Sequence, residues 1–476
     1  GYVLTNFPYL NNGPKDLIGN SGKGKEYAYR SYFGRVMYSY ADRYLFQANI
    51  RHDGSSRFAK KHRWGTFPSF SAGWVLSEEN FMKNLNWEWL SFLKIRATWG
   101  ALGNERIGDY ASYALITNNH ITLDGSSNDQ TASQQKYAIE NVTWEKTEST
   151  DIGLDISFLN NRLRVNGDYY WKNTKDMLLA MAIPDFLGFS DPDVNAGKMS
   201  TKGYELNVSW NDHIGDFSYG IAINFSDFTS KMGDLQGTQF LGDKVKMEGS
   251  EFNEWYGYVS DGLFLTEEDL KNSPKINDKN TQLGDIKYKD ISGPDGVPDG
   301  KISPEYDRVL LGSSLPHFLY GGNINLGYKN FDLSLAFQGV GKQNARLARE
   351  MVEPFRNNYG NFPAIIDGNY WSPYNTDEQN AVAKYPRLTH VNKSSNYAMS
   401  DYWLFNGGYF RLKNITLGYT FPKEWMNAIG IKGARIYASA SDLFCLSKYP
   451  KGWDPEMGVS EYPITTSILL GVSVNF

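Results

Sequence analysis

The chain has 476 residues, and its 48 Lys and Arg stand against 53 Asp and Glu for a net charge of −5, without the basic excess of a broad nucleic-acid binder. Aromatic residues make up 15% of it, too many for a disordered segment, and the single cysteine, Cys445, excludes an internal disulfide framework or thiolate metal cluster. No run of about 18 apolar residues exists, so no transmembrane helix is predicted, but a membrane β-strand shows lipid only its alternate residues and leaves no such run.

The sequence opens at Gly1-Tyr2-Val3-Leu4 without an initiator Met or a signal peptide, so the expectation is either a processed precursor or the later portion of a longer protein. Gly19-Asn-Ser-Gly-Lys-Gly-Lys25-Glu26 nearly spells a phosphate loop. Glu26 stands where a Mg²⁺-binding Ser or Thr belongs and would repel phosphate, so the stretch reads as a loop without nucleotide.

From there period-two alternation dominates. Tyr44, Phe46, Ala48 and Ile50 share one face, and Gln47, Asn49, Arg51 and Asp53 the other. Leu163, Val165, Gly167, Tyr169 and Trp171 oppose Arg164, Asn166, Asp168 and Lys172. Tyr204, Leu206, Val208 and Trp210 oppose Glu205, Asn207 and Ser209. Tyr219, Ile221, Ile223 and Phe225 oppose Asn224 and Ser226, and Phe331, Leu333, Leu335 and Phe337 oppose Asp332, Ser334 and Gln338. One apolar and one polar face recur along the chain, which predicts amphipathic strands, about 14 in all.

A soluble sandwich alternates too. Here several runs approach ten residues, beyond the roughly 5–6 of soluble strands, and apolar rows end in Tyr169, Trp171, Tyr204 and Trp210, as a headgroup girdle requires. Ala41-Asp42, Asn160-Asn161 and Lys329-Asn330 predict tight hairpins. Residues 118–136, 231–316 and 342–407 predict long loops, with helix expected near 266–270 and 343–351. Short turns at one end and long loops at the other fit an outer-membrane barrel.

The long loops hold the candidate site residues. Asp285, Asp290, Asp295 and Asp299 lie among Gly turns, and Asp290, Asp295 and Asp299 are candidate ligands for Ca²⁺, which favours oxygen donors. Ser292, Pro294, Val297 and Tyr306 spoil the EF-type pattern, and a solvated acidic turn is the alternative. Arg346, Arg349, Glu350 and Glu353, with Trp371, Tyr374 and Trp403, are candidates for contact with ligand or a lid protein: aromatic faces stack on sugars, and charged groups bond hydroxyls or peptide backbone. The six histidines form no His-x-x-x-His pair, and no Gly-x-Ser-x-Gly elbow exists, so no enzyme is expected. The chain ends in the alternating row Ile468, Leu470, Val472, Val474 and Phe476. A soluble protein more often blunts such an edge with charge or proline.

Several segments resemble SusC/RagA-type TonB-dependent transporters. They include Ser31-Tyr-Phe-Gly-Arg-Val-Met-Tyr-Ser-Tyr40, Arg51-His-Asp-Gly-Ser-Ser-Arg-Phe58, Leu93-Lys-Ile-Arg-Ala-Thr-Trp-Gly-Ala-Leu-Gly-Asn104, Gly284-Asp-Ile-Lys-Tyr-Lys-Asp290 and Tyr409-Phe-Arg-Leu-Lys-Asn-Ile-Thr-Leu-Gly-Tyr419. The resemblance implies an all-β fold, the later strands of a 22-stranded transmembrane antiparallel barrel in the bacterial outer membrane, with residues 1–476 as barrel and the plug and early strands elsewhere. It implies import of oligosaccharide or peptide, with a SusD-like surface lipoprotein as lid, and TonB acting through the N-terminal plug-bearing portion. The aromatic-ended terminal row resembles a barrel-assembly signal. A passive porin and a soluble all-β carbohydrate-binding protein are the competing readings.

Overall fold

The structure is a computed structural model that describes residues 22, 24–121, 129–134, 137–181, 185–237, 241–277, 279–356, 360–457 and 461–476. The opening Tyr2-Val3-Leu4 and residues 19–21 and 23 of the glycine-rich stretch lie outside the described residues.

Thirteen strands form one antiparallel sheet in which each strand pairs with its neighbours in sequence. They are β1 (Tyr29–Tyr40), β2 (Tyr44–Ser55), β3 (Trp64–Val75), β4 (Leu90–Asn104), β5 (Glu145–Phe158), β6 (Leu163–Lys175), β7 (Met199–Ile214), β8 (Phe217–Met232), β9 (His317–Tyr328), β10 (Phe331–Lys342), β11 (Tyr409–Thr420), β12 (Gly433–Ser447) and β13 (Ser467–Asn475). The count falls below the expected 14. The hairpin of Ile116–Ile121 with Asp129–Gln134 pairs with itself and not with the sheet. Among the described residues, β1 and β13 are the two open edges.

Register carries the two-faced pattern across the sheet, because residues directly opposite in a pair share a face. Val165 faces Val208, Val208 faces Ile223, and Ile223 faces Gly322. Leu333 faces Leu417, which faces Ala438, which faces Leu470. The opposite face runs through Asn166, Asn207 and Asn224. Large apolar side chains such as Ile50, Ile223, Leu417 and Leu470 are left exposed on the first face. In water that surface would be an aggregation liability; against lipid it is the stabilised arrangement.

Aromatic rings bound the apolar band at both ends. Near the short turns Tyr40, Tyr44 and Trp74 stack in series, as do Trp87, Trp89 and Phe158. Near the long connections Tyr204, Phe225 and Phe318 form a second series, and Phe337, Phe410 and Phe444 a third. The expected hairpins are present, with left-handed backbone at Ala41, Asp42, Asn160, Asn161 and Lys329, the conformation that a tight antiparallel turn demands.

The β8–β9 and β10–β11 connections fold together. Tyr258, Leu263, Ile286, Tyr288 and Ile302 of one share a core with Met351, Val352, Tyr397 and Trp403 of the other. This loop body is the only large apolar core away from the sheet among the described residues; two smaller ones gather around Trp144 and around Leu235. The first expected helix forms at Glu267–Asn272, capped by the Thr266 side chain accepting the Asp269 amide at 3.1 Å. The second is shorter than expected: only Arg349–Val352 is helical, because Asn344–Arg346 pairs as a strand with Leu404–Asn406.

The facing is tested by two substitutions on adjacent residues of β8 in the full-length protein. Ile223→Arg puts a charge near the middle of the lipid face and is expected to cost about 2–4 kcal/mol. Asn224→Arg points the same charge to the polar face and is expected to change stability by under about 0.5 kcal/mol. Urea unfolding in lipid bilayers measures both.

Candidate functional site

Asp285 is the buried anchor of the loop body. Arg387 grips it with two parallel bonds, Nε to Oδ1 at 2.7 Å and Nη2 to Oδ2 at 3.1 Å. Asn396 donates to Oδ1 at 2.9 Å, Asn392 to Oδ2 at 2.9 Å, and the Gln282 amide to Oδ2 at 2.9 Å. A fully buried carboxylate survives only when its charge is paired and its lone pairs are filled, and this one has both. The ion pair ties the β8–β9 connection to the β10–β11 connection. Burial pushes the phenols of Tyr288 and Tyr397 above the ordinary tyrosine range. Tyr288 donates to Ser395 O at 2.7 Å, a second tie between the two connections, and Tyr397 donates to Val352 O at 3.2 Å within the β10–β11 connection.

Asp285 therefore does not belong with the other acids. Asp290 accepts the amides of Asp299 at 3.4 Å and Gly300 at 2.6 Å, which closes the turn that follows it. Buried Asp307 accepts the amides of Ile291 at 2.8 Å and Ser303 at 2.6 Å, fixing the base of the turn. Asp295 is exposed. Calcium wants six to eight oxygens, and among the described residues no group of three or more His, Cys, Asp or Glu is arranged to hold a metal ion.

The aromatic candidates divide. Trp371 lies over Gly284, whose φ is +84° and where a Cβ would fall 2.3 Å from the indole; glycine alone allows that approach. Trp371 and exposed Tyr374 line a cavity of about 590 Å³ with Tyr370, Glu267, Gln282 and Arg387. Trp403 is a correction. It is 2% exposed, stacks on Tyr397 at 5.0 Å, and donates Nε1 to Asn396 O at 2.8 Å, so it supports the body from within and offers no face to a ligand. Arg346 pairs with Asp243 and donates to Tyr397 O at 3.1 Å. Arg349 pairs with buried Glu353 at 2.6 Å, and Glu350 with Arg356. The structure thus brings Trp371 and Tyr374 together and uses the two arginines for internal ties.

The polar face of the sheet carries two ionic clusters that local sequence spacing does not reveal. Arg96 of β4 reaches Asp168 at 2.7 Å, Asp155 at 3.2 Å and Asp151 at 3.9 Å. Gly153 makes room, since a Cβ there would meet the guanidinium at 2.5 Å. Lys94 lies opposite Asp155 in register and Glu205 opposite Asp168, so two further charges flank the cluster. Buried Arg411 of β11 holds Asp454 at 2.5 Å and Glu456 at 2.5 Å, both from the β12–β13 connection, and Gln338 donates to Glu456 at 2.5 Å. That connection is thereby folded against the polar face. On the other face Ile468, Leu470, Val472, Val474 and Phe476 form an outward row, with Phe476 83% exposed.

The sequence matches the family described as TonB dependent receptor-like, beta-barrel, over residues 2–443. The chain belongs to that family. It is 32% identical over 467 residues to the TonB-dependent receptor SusC of Bacteroides thetaiotaomicron, covering 94% of this chain and 43% of that one. Three TonB-dependent receptors of Formosa agariphila match at 29–31% identity. The chain spans 42–46% of the length of these curated relatives. In fold it is similar to the solved structure titled the RagAB peptide transporter, with a TM-score of 0.78 at 24% identity, over 98% of this chain and 50% of that one. As a β-barrel of this family, its apolar face is the lipid side and its polar face the lumen.

The Asp285–Arg387 tie is tested by Arg387→Ala. Leaving a buried carboxylate unpaired costs about 3–5 kcal/mol, here charged to the loop body and not to the barrel. Proteolysis within residues 241–316 is expected to accelerate, while the heat-modifiable gel shift of the barrel persists. Arg387→Lys is expected to rescue only in part, because an ammonium cannot make the paired bonds.

Proposed function

We propose that this chain is the later barrel portion of an outer-membrane, TonB-dependent importer of oligomeric nutrients, working with a SusD-like surface lipoprotein. The observation that carries the reading is the open sheet of thirteen strands, lipid-facing on one side and polar on the other, in a chain of the TonB receptor family. An open edge in lipid leaves backbone groups unpaired at several kcal/mol each, so β1 and β13 need partners. A 22-stranded closure supplies them with nine further strands from the rest of the receptor. The plug and the TonB-contacting segment belong to that remainder.

The mechanism is gated passage. The lipoprotein closes over the long-connection end and traps the ligand; TonB withdraws the plug; the ligand moves down the polar wall. The residues named here bind and position, and none makes or breaks a covalent bond. Trp371 and Tyr374 offer aromatic faces beside Glu267 and Gln282, suited to a sugar ring or an extended peptide. The similar structure is titled a peptide transporter, which names peptide for that protein; for this chain the resemblance to SusC/RagA-type transporters leaves both oligosaccharide and peptide open.

Uptake in cells carrying the full-length receptor tests the reading against a passive porin. A protonophore, or loss of TonB, is expected to abolish uptake of oligomer by this receptor while porin flux of small solutes continues. Oligomer uptake that survives both treatments would contradict active import.

A further inference from the structure

We infer that the cavity beside Trp371 and Tyr374 takes a lysine or arginine side chain, so that the ligand held by the loop body is a basic oligopeptide. This rests on the ligand-binding reading above and deepens it by naming the chemistry of the site. Three rings, Tyr370, Trp371 and Tyr374, line the cavity together with Glu267, Gln282 and Arg387. Trp371 is sealed on one side by Gly284, and Tyr374 stands 96% exposed. A ring left so far in water gains from burial against a ligand. A cluster of rings also attracts cations, because each ring carries negative charge on its faces.

The net charge of the lining is negative. Arg387 is its only base, and that guanidinium is already committed: it holds Asp285 through two bonds and Asn280 O through a third at 3.2 Å. The Arg387–Asp285 pair is neutral as a unit and Asp285 is fully buried, so Glu267 is the charge left over. Glu267 is exposed in the first turn of its helix and, among the described residues, has no basic group within salt-bridge distance, Lys271 one turn on included. Asp269 of the same turn is already paired, with Lys287 at 3.1 Å. Beyond Tyr374 the chain runs into Asp377 and Glu378, both exposed, which adds to the negative field.

The amides next to the rings are occupied by backbone. Asn380 donates to Ser372 O at 2.9 Å and accepts the Ser372 amide at 3.0 Å, and Asn375 donates to Tyr370 O at 3.0 Å. A pyranose would want such groups free for its hydroxyls, and Gln282 is the one side-chain amide in the lining. The same bonds, with the capping box of Thr376 and Gln379, fix the segment that carries the rings before any ligand arrives. The lining then offers three rings, one free carboxylate and the apolar side chains of Leu270, Leu283 and Leu388. A basic side chain matches all of these: its charge meets the rings and Glu267, and its methylene stem lies on the leucines. An ammonium set directly on a sugar ring lacks that stem.

The test is saturation-transfer NMR on the full-length receptor in detergent. The probes are a capped alanine pentapeptide with lysine at its centre, the same peptide with that ammonium acetylated, and a glucosamine trimer. The lysine peptide is expected to bind, with the strongest transfer to its lysine methylenes. Acetylation is expected to weaken it roughly twentyfold, and E267Q and Y374A roughly fivefold each. Y374F keeps the ring and is expected to bind as the wild type does, and the glucosamine trimer is expected to bind more weakly than the lysine peptide. No binding of the lysine peptide, equal affinity for its acetylated form, equal affinity of wild type and E267Q, or a glucosamine trimer that binds as tightly would overturn the proposal. Lysine-peptide binding alongside uptake that survives loss of TonB would overturn active import and leave the cavity assignment standing.

Discussion

Everything in this chain follows from the need to satisfy backbone hydrogen bonds where no water is available. In hydrocarbon each unpaired N–H or C=O costs several kcal/mol, so a strand is tolerable only between two others. Eleven of the thirteen strands have both neighbours in this chain, and the order β1 to β13 follows the sequence without a crossover. Sequential hairpin pairing lets each strand meet its partner through a short turn at one end. The other end is then free to carry connections of any length.

That freedom is where the specific chemistry lies. The longest connections do not hang separately but condense on a shared core around Trp403, Met351 and Tyr288. Their junction is the Asp285–Arg387 pair, held by Asn392 and Asn396 from the far connection. A buried ion pair adds little net stability over apolar packing. It does demand one geometry, and so sets where Trp371 and Tyr374 stand. Arg411 works the same way at the barrel wall, drawing Asp454 and Glu456 of the last connection inward.

The strands were readable from the sequence because their information is local. Ile221, Ile223 and Phe225 alternate with Ala222 and Asn224 whatever lies elsewhere, and Lys329-Asn330 announces a turn by itself. Site residues were less readable because their partners are distant: Asp285 and Arg387 are 102 residues apart. Local spacing grouped Asp285 with Asp290, Asp295 and Asp299, although burial separates the first from the rest. The Gly284-Asp-Ile segment of the resemblance was the available signal that Asp285 mattered. Trp403 looked like a ligand face because composition cannot tell a stacked core indole from an exposed one.

The central claim is that one face of this sheet meets lipid and the other a watery lumen. Spin labels at single cysteines introduced along β8 from Tyr219 to Phe225, in the full-length receptor with Cys445 replaced by Ser and reconstituted in bilayers, test it most directly. Labels at 219, 221, 223 and 225 are expected to be relaxed by dissolved oxygen, and those at 220, 222 and 224 by an aqueous nickel chelate. Uniform access to the nickel reagent at all seven positions, or a pattern without the period of two, would contradict the account.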